Sequence, residues 1–151
     1  MLVTSGQLDP TPRGPASDDL SIARRSLYVQ TARWDRGSFA MLFDAANPDA
    51  SDEKRNVSTV APPALFLLND SFTLAQAKHL AERLIRDVPS DAPNFETSRI
   101  QYAYRLLFSR LPTDDEFAVA RKLLVSGEQS DAAWTDLAHI LLCSNEFVYV
   151  D

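Results

Sequence analysis

The residue types in this chain that could do chemistry are few: two histidines, one cysteine and three groups of carboxylates. His79 and His139 each fall in an apolar-periodic segment. Neither has a second histidine or a carboxylate at the His-Glu-x-x-His spacing that brings ligands to one metal ion. They read as helix-borne side chains, His79 on a polar face and His139 beside a partly buried one. Cys143 adjoins Leu142 inside the last helical pattern, the setting of a buried, inert thiol. No serine stands in a Gly-x-Ser-x-Gly elbow, four glycines leave no phosphate-cradling loop, and Cys-x-x-Cys-His is absent, so no cofactor or metal is expected. Asp18/Asp19, Asp49/Asp52/Glu53 and Asp114/Asp115/Glu116 have the residue types of a hydrolase or calcium site but not the alternation around a central glycine that a calcium loop needs. They read as helix caps and solvated loops. Asn56-Val-Ser58 and Asn69-Asp-Ser71 match the glycosylation acceptor pattern, which is too short to decide anything.

A second set is polar without forming a motif. Arg25, Tyr28, Arg33, Asp44, Arg55, Thr59 and Asn69 each stand beside an apolar stretch in the less regular half of the chain. If they converge, they make either a buried ion-pair and hydrogen-bond network that fixes the packing or the floor of a ligand site. The packing role is the reading adopted. Arg25, Tyr28, Asp44, Arg55, Thr59 and Asn69 form the candidate polar cluster, and no residue is assigned a catalytic role.

Helices must position these groups. Residues 1–19, rich in proline, glycine and small polar residues, read as a flexible tail, and residues 20–151 as a single helical domain. Leu20 to Thr31 is ambiguous: Asp18 and Asp19 can start a short helix, while Ser26 to Thr31 is rich in strand formers. Gly37 to Asp44 predicts a short helix, followed by a polar loop over residues 45–55. Pro62 and Pro63 suit a first helical turn, where their missing amide protons have no partner anyway. Ala64 to Leu68, apolar all round, then predicts a short helix enclosed by others. Asn69-Asp-Ser71 ends it and caps the next.

Ala77, Leu80, Ala81, Leu84, Ile85 and Val88 recur at helical spacing, with Lys78, Glu82 and Arg86 on the opposite, solvated face. After a linker at Pro89 to Pro93, the stripe repeats in Ile100, Ala103, Tyr104, Leu107, Phe108 and Leu111. Pro112 stops that helix, and Thr113 with Glu116 has the spacing of a capping box that starts a third, running to about Ser126. Ser130 or Asp131 caps a fourth helix carrying Trp134, Leu137, Ala138, Leu141 and Leu142, and Phe147 to Asp151 is expected to be extended and docked. Short connections favour antiparallel neighbours, so the fold class is mainly α: a helical bundle with an irregular N-terminal half.

The 151 residues suit one domain. A net charge of −6, with no basic stripe, disfavours nucleic acid as a partner. No apolar run approaches the roughly 20 residues that span a bilayer, so the chain is not expected to be transmembrane. Met1 to Pro10 lacks the basic and apolar regions of a secretory signal.

The ordered series Arg24-Arg-Ser-Leu-Tyr28, Phe43-Asp44, Arg55-Asn-Val-Ser-Thr59, Pro63 to Phe72, Tyr104 to Arg110 with Pro112 and Glu116, and Leu141 to Asp151 resembles a known family. It is similar to the C-terminal part of the planctomycete-specific domain of unknown function found in large exported proteins with a planctomycete cytochrome-like domain. The resemblance spans roughly residues 20–151. It departs from the family pattern at Pro63, where glutamine is usual, and at Cys143, where asparagine is usual. It implies that the chain is a C-terminal fragment of a larger protein of the periplasm or cell surface. It also implies partners among the parent's other domains, with any haem in the separate cytochrome-like domain. The resulting expectation is a non-catalytic structural or interaction module. The alternatives are a hydrolytic domain using Asp44, Arg55 and Asn69, or a glycan-binding one using Tyr28, Trp34 and Arg55, in a setting of polysaccharide breakdown or electron transfer.

Overall fold

A computed structural model describes residues 1–17, 19, 22–29, 61–127 and 130–149. Among these, seven α-helices and one 3-10 turn account for the regular structure, and the mainly α class holds. The helices are α1 (Leu2–Ser5), α2 (Ala61–Asn69), α3 (Ser71–Asp87), α4 (Phe95–Phe108), α5 (Asp114–Ser126), α6 (Asp131–Leu142) and α7 (Asn145–Val148). Their starts follow local chemistry. The Asp70 carboxylate accepts the Thr73 N–H at the head of α3, and the Ser130 hydroxyl accepts the Ala133 N–H at the head of α6. Thr113 and Glu116 form both halves of the capping box that opens α5.

The predicted stripes face one another. Ala77, Leu80, Ala81 and Leu84 of α3 are buried with Trp134, Leu137, Ala138, Leu141 and Leu142 of α6; Ile100, Ala103 and Tyr104 of α4 and Ala120 and Leu124 of α5 complete the core. The alanines bring the α3 and α6 backbones close, and the leucines and Trp134 fill the space between. No described helix is long and apolar enough to cross a membrane.

Three elements differ from the sequence-based expectation. Within the segment read as a tail, α1 is docked: the Ser5 hydroxyl donates to Gln76 Oε1 at 2.6 Å, and Arg83 Nη1 donates to the Thr4 carbonyl at 2.8 Å and the Val3 carbonyl at 3.1 Å. One helical turn suffices there because α3 supplies partners for its terminal carbonyls. The segment from Phe147, expected to be extended, begins inside α7, whose first residue follows Ser144. On α2, Leu67 is buried, but Leu65 and Leu68 are 63% and 49% exposed. An all-apolar helix is enclosed only if neighbours cover every side, and among the described contacts α2 packs chiefly on α3. The ambiguous stretch after Arg25 forms a 3-10 turn at Ser26–Tyr28, and Val29 makes an isolated bridge with Ser17. The helix expected at Gly37 to Asp44 lies outside the described residues.

Gly127 closes α5 against α6. A Cβ on Gly127 would stand 2.5 Å from the Ala133 Cβ, and Ala133 is buried. Gly127→Ala is therefore expected to force the α5–α6 connection apart, at a cost of about 1–3 kcal/mol of overpacking. Urea unfolding checks this; an unchanged midpoint would contradict the close approach.

Candidate functional site

Among the described residues, the strongest ionic cluster is built at the junction of α4, α5 and α7. Ser109 ends α4 with φ 58, in the left-handed region usually taken by glycine, and Arg110 follows it directly. The Arg110 guanidinium then meets two carboxylates side-on. Its Nη1 and Nη2 donate to Glu116 Oε2 and Oε1 at 2.8 and 2.7 Å, while Nε and Nη2 donate to Glu146 Oε1 and Oε2 at 2.7 and 2.6 Å. A fifth bond runs from Nη1 to the Leu111 carbonyl at 3.1 Å. An arginine has five N–H donors, so this one is fully satisfied by its own chain.

Below the guanidinium lie the Tyr104 and Phe108 rings, each with its centroid 5.6 Å from Cζ and 5.3 Å from the other. Glu116 has a second task, because its Oε2 also accepts the Thr113 N–H at 2.7 Å to complete the capping box.

The electrostatics follow from this geometry. Hydrogen bonds from Arg110, joined by those from Thr113, hold the Glu116 carboxyl down at about 2, although partial burial opposes them. Arg110 lowers Glu146 in the same way, and the two carboxylates raise the arginine above its ordinary value. A carboxylate with so weak an affinity for protons is a poor general base near neutrality. The arrangement is suited to clamping helices together.

A second cationic side chain sits deeper. Arg99, only 2% exposed, donates from Nε to the Val88 carbonyl at 2.6 Å and from Nη2 to the Ser90 hydroxyl at 3.0 Å. Its Cζ lies 5.0 Å from the Phe95 ring centroid and 5.2 Å from that of Trp134. Burial lowers its pKa, partly countered by Asp131. It closes the C-terminal end of α3, where a cation is favoured by the helix dipole.

Of the candidate polar cluster, Arg25, Tyr28 and Asn69 are described, while Asp44, Arg55 and Thr59, with Arg33 and Trp34, lie outside the described residues. Arg25 is exposed and its carbonyl accepts the Tyr28 N–H. The Tyr28 ring is covered by the Arg24 guanidinium, whose Cζ lies 3.8 Å from the ring centroid, and its hydroxyl accepts the Arg13 N–H at 2.8 Å. Arg24 in turn donates to the Arg13 and Pro15 carbonyls. The Asn69 amide is spent within its own helix, donating to the Leu65 carbonyl at 2.8 Å.

The histidines and the thiol also have local settings. His79 Nδ1 is 3.2 Å from Glu82 Oε2, and His139 Nε2 is 3.3 Å from the Leu67 carbonyl, tying α6 to α2. Burial pushes the Cys143 thiol up, away from the reactive thiolate. No group of three or more metal-ligating side chains occurs among the described residues.

Sequence reasoning assigned Glu116 to the capping box but not to Arg110, and gave Arg99 and Glu146 no role. Glu116 was findable through the Thr113 spacing. Glu146 lies thirty residues further along and no periodicity links the two.

Fold and cluster together define a mainly α protein in which, among the described residues, the most strongly coupled charges serve one another. The chain belongs to the PSD1 family, described as a protein of unknown function (DUF1553), which it matches over residues 1–124. Neither the curated proteins nor the solved structures contain a match to it.

The clamp makes a signed prediction about acid. Because Glu116 is depressed from its ordinary 4.5 to about 2, its contribution to stability is complete above pH 4.5 and is lost as pH falls toward 2. The melting temperature of the native chain should exceed that of Glu116→Gln near neutrality, and the gap should close through that acid window. A gap independent of pH would show that the carboxylate's charge is not what stabilises.

Proposed function

We propose that this chain is a non-catalytic structural or interaction module, the C-terminal part of a larger exported planctomycete protein that also carries a cytochrome-like domain. The observation that carries this reading is the saturation of Arg110, whose five N–H donors are all taken by Glu116, Glu146 and Leu111. A guanidinium so bound has no donor left for a substrate carboxylate or phosphate. The motif series from Arg24 to Asp151 supports the planctomycete setting. A place in the periplasm or at the cell surface, and partners among the parent's other domains, follow from that setting; any haem belongs to the cytochrome-like domain.

The competing reading is a hydrolytic domain using Asp44, Arg55 and Asn69, or a glycan-binding one using Tyr28, Trp34 and Arg55. One experiment separates the two. Incubating the chain with a panel of polysaccharides and chromogenic glycosides should release no reducing ends and leave the melting temperature where it was. Turnover, or a ligand-induced rise in melting temperature, that disappears in Asp44→Asn or Arg55→Met would overturn the module reading.

A further inference from the structure

We infer that the outward face of α5 is a self-association surface, which pairs antiparallel with the same face of a second copy of this chain. Helical spacing puts Asp114, Ala118, Arg121 and Val125 on one stripe, with Asp115 and Lys122 beside it. All six are exposed, and so is Leu111 in the turn that leads into the helix. A shallow, open groove of about 610 Å3 lies along the second part of this face, lined among the described residues by Phe117, Ala118, Arg121, Lys122, Val125 and Ser126.

The charges on the stripe are divided by position, with Asp114 and Asp115 in the first turn and Arg121 and Lys122 in the second half. Ala118 is the midpoint of that division. Asp114 and Lys122 lie four residues to either side of it, Asp115 and Arg121 three, and Leu111 and Val125 seven. Rotating a second copy by a half-turn about an axis through Ala118 therefore sets each carboxylate opposite a cation, and two-fold symmetry repeats every pair. Val125 lies at each outer end of the stripe, and the small Ala118 side chains let the backbones approach at the centre. Parallel pairing would instead set aspartate against aspartate. Arg121 Nε also lies 3.3 Å from Glu96 Oε1, yet the arginine side chain remains 64% exposed and within reach of a partner.

The pattern is complementary to itself, which is why the occupant is assigned as a second copy. A 13-residue helix is about 20 Å long, so the contact falls short of the roughly 800 Å2 per partner of a standard interface. The dimer is accordingly weak, and it is sensitive to salt. It goes beyond the module reading above and stands without it.

Sedimentation velocity on the 151-residue chain tests this. At low salt the chain should dimerise in a concentration-dependent manner, and raising the salt from about 0.05 to about 0.5 M should weaken the dimer roughly tenfold as the paired charges are screened. R121E/K122E and D114K/D115K should each be monomeric alone, and mixing them in equal amounts should restore a one-to-one dimer. Because lysines in the first turn of α5 oppose its dipole, Ala118→Arg provides a check that leaves the caps intact and should also be monomeric. A native chain that stays monomeric throughout, a dimer that survives Ala118→Arg, or failure of two folded charge-reversed variants to pair on mixing would overturn the proposal.

Discussion

How closely α3 and α6 can approach governs the rest of the helical part. Ala77 and Ala81 on one helix and Ala138 on the other keep their backbones near, and Leu80, Leu84, Trp134 and Leu137 are buried with them. Trp134, buried in this seam, sets a flat aromatic face beside the end of α3. Arg99 occupies the space over that face. Its desolvation is offset by the Val88 carbonyl, the Ser90 hydroxyl and two aromatic rings. A shorter side chain in place of Trp134 would thus leave both a cavity and a less well-housed charge.

Around this centre, ionic contacts act as fasteners at the periphery. Arg110 joins the end of α4 to the start of α5 and the start of α7, and Arg83 joins α3 to the carbonyls of α1. Arg83 also contacts Asp87 at 3.4 Å, and Asp87 accepts the Tyr102 hydroxyl from α4 at 2.9 Å. Single exposed pairs of this kind contribute little. The Arg110 cluster is different because its bonds are bidentate on both sides and rest on aromatic rings, which fixes the angle of approach as well as the charge.

Where the determinant was local, the sequence could be read directly. Thr113 and Glu116, Ser130, Asp70 and the four-residue recurrence of alanine and leucine each act over one or two helical turns. The structure has the corresponding caps where they were expected, and the stripes too except at Leu111, which lies beyond the end of α4 and is 48% exposed. What could not be read was whatever needed two distant segments to meet. The Arg110 pairing with Glu146, the burial of Arg99 against Trp134 and the docking of Leu2–Ser5 on Gln76 leave no periodic trace. The exposure of Leu65 and Leu68 is a failure of the same kind: an apolar helix announces that it is apolar, not how many neighbours it has. Of the candidate polar cluster, Tyr28 and Asn69 were visible as residue types, but not the local partners they take, Arg24 and Leu65.

The docking of α1 carries a kinetic consequence. The seam of α3 with α6 also joins segments that are not consecutive, but closing that loop buries two whole helical faces at once. The Ser5 to Gln76 bond instead spans 71 positions, and closing so long a loop for one helical turn gives little return until Gln76 and Arg83 are already fixed on a finished α3. The first turn is therefore the last piece to arrive and the first to leave. Its amide protons should exchange with solvent through local detachment while those of Leu80 and Leu84 wait for the whole bundle to open.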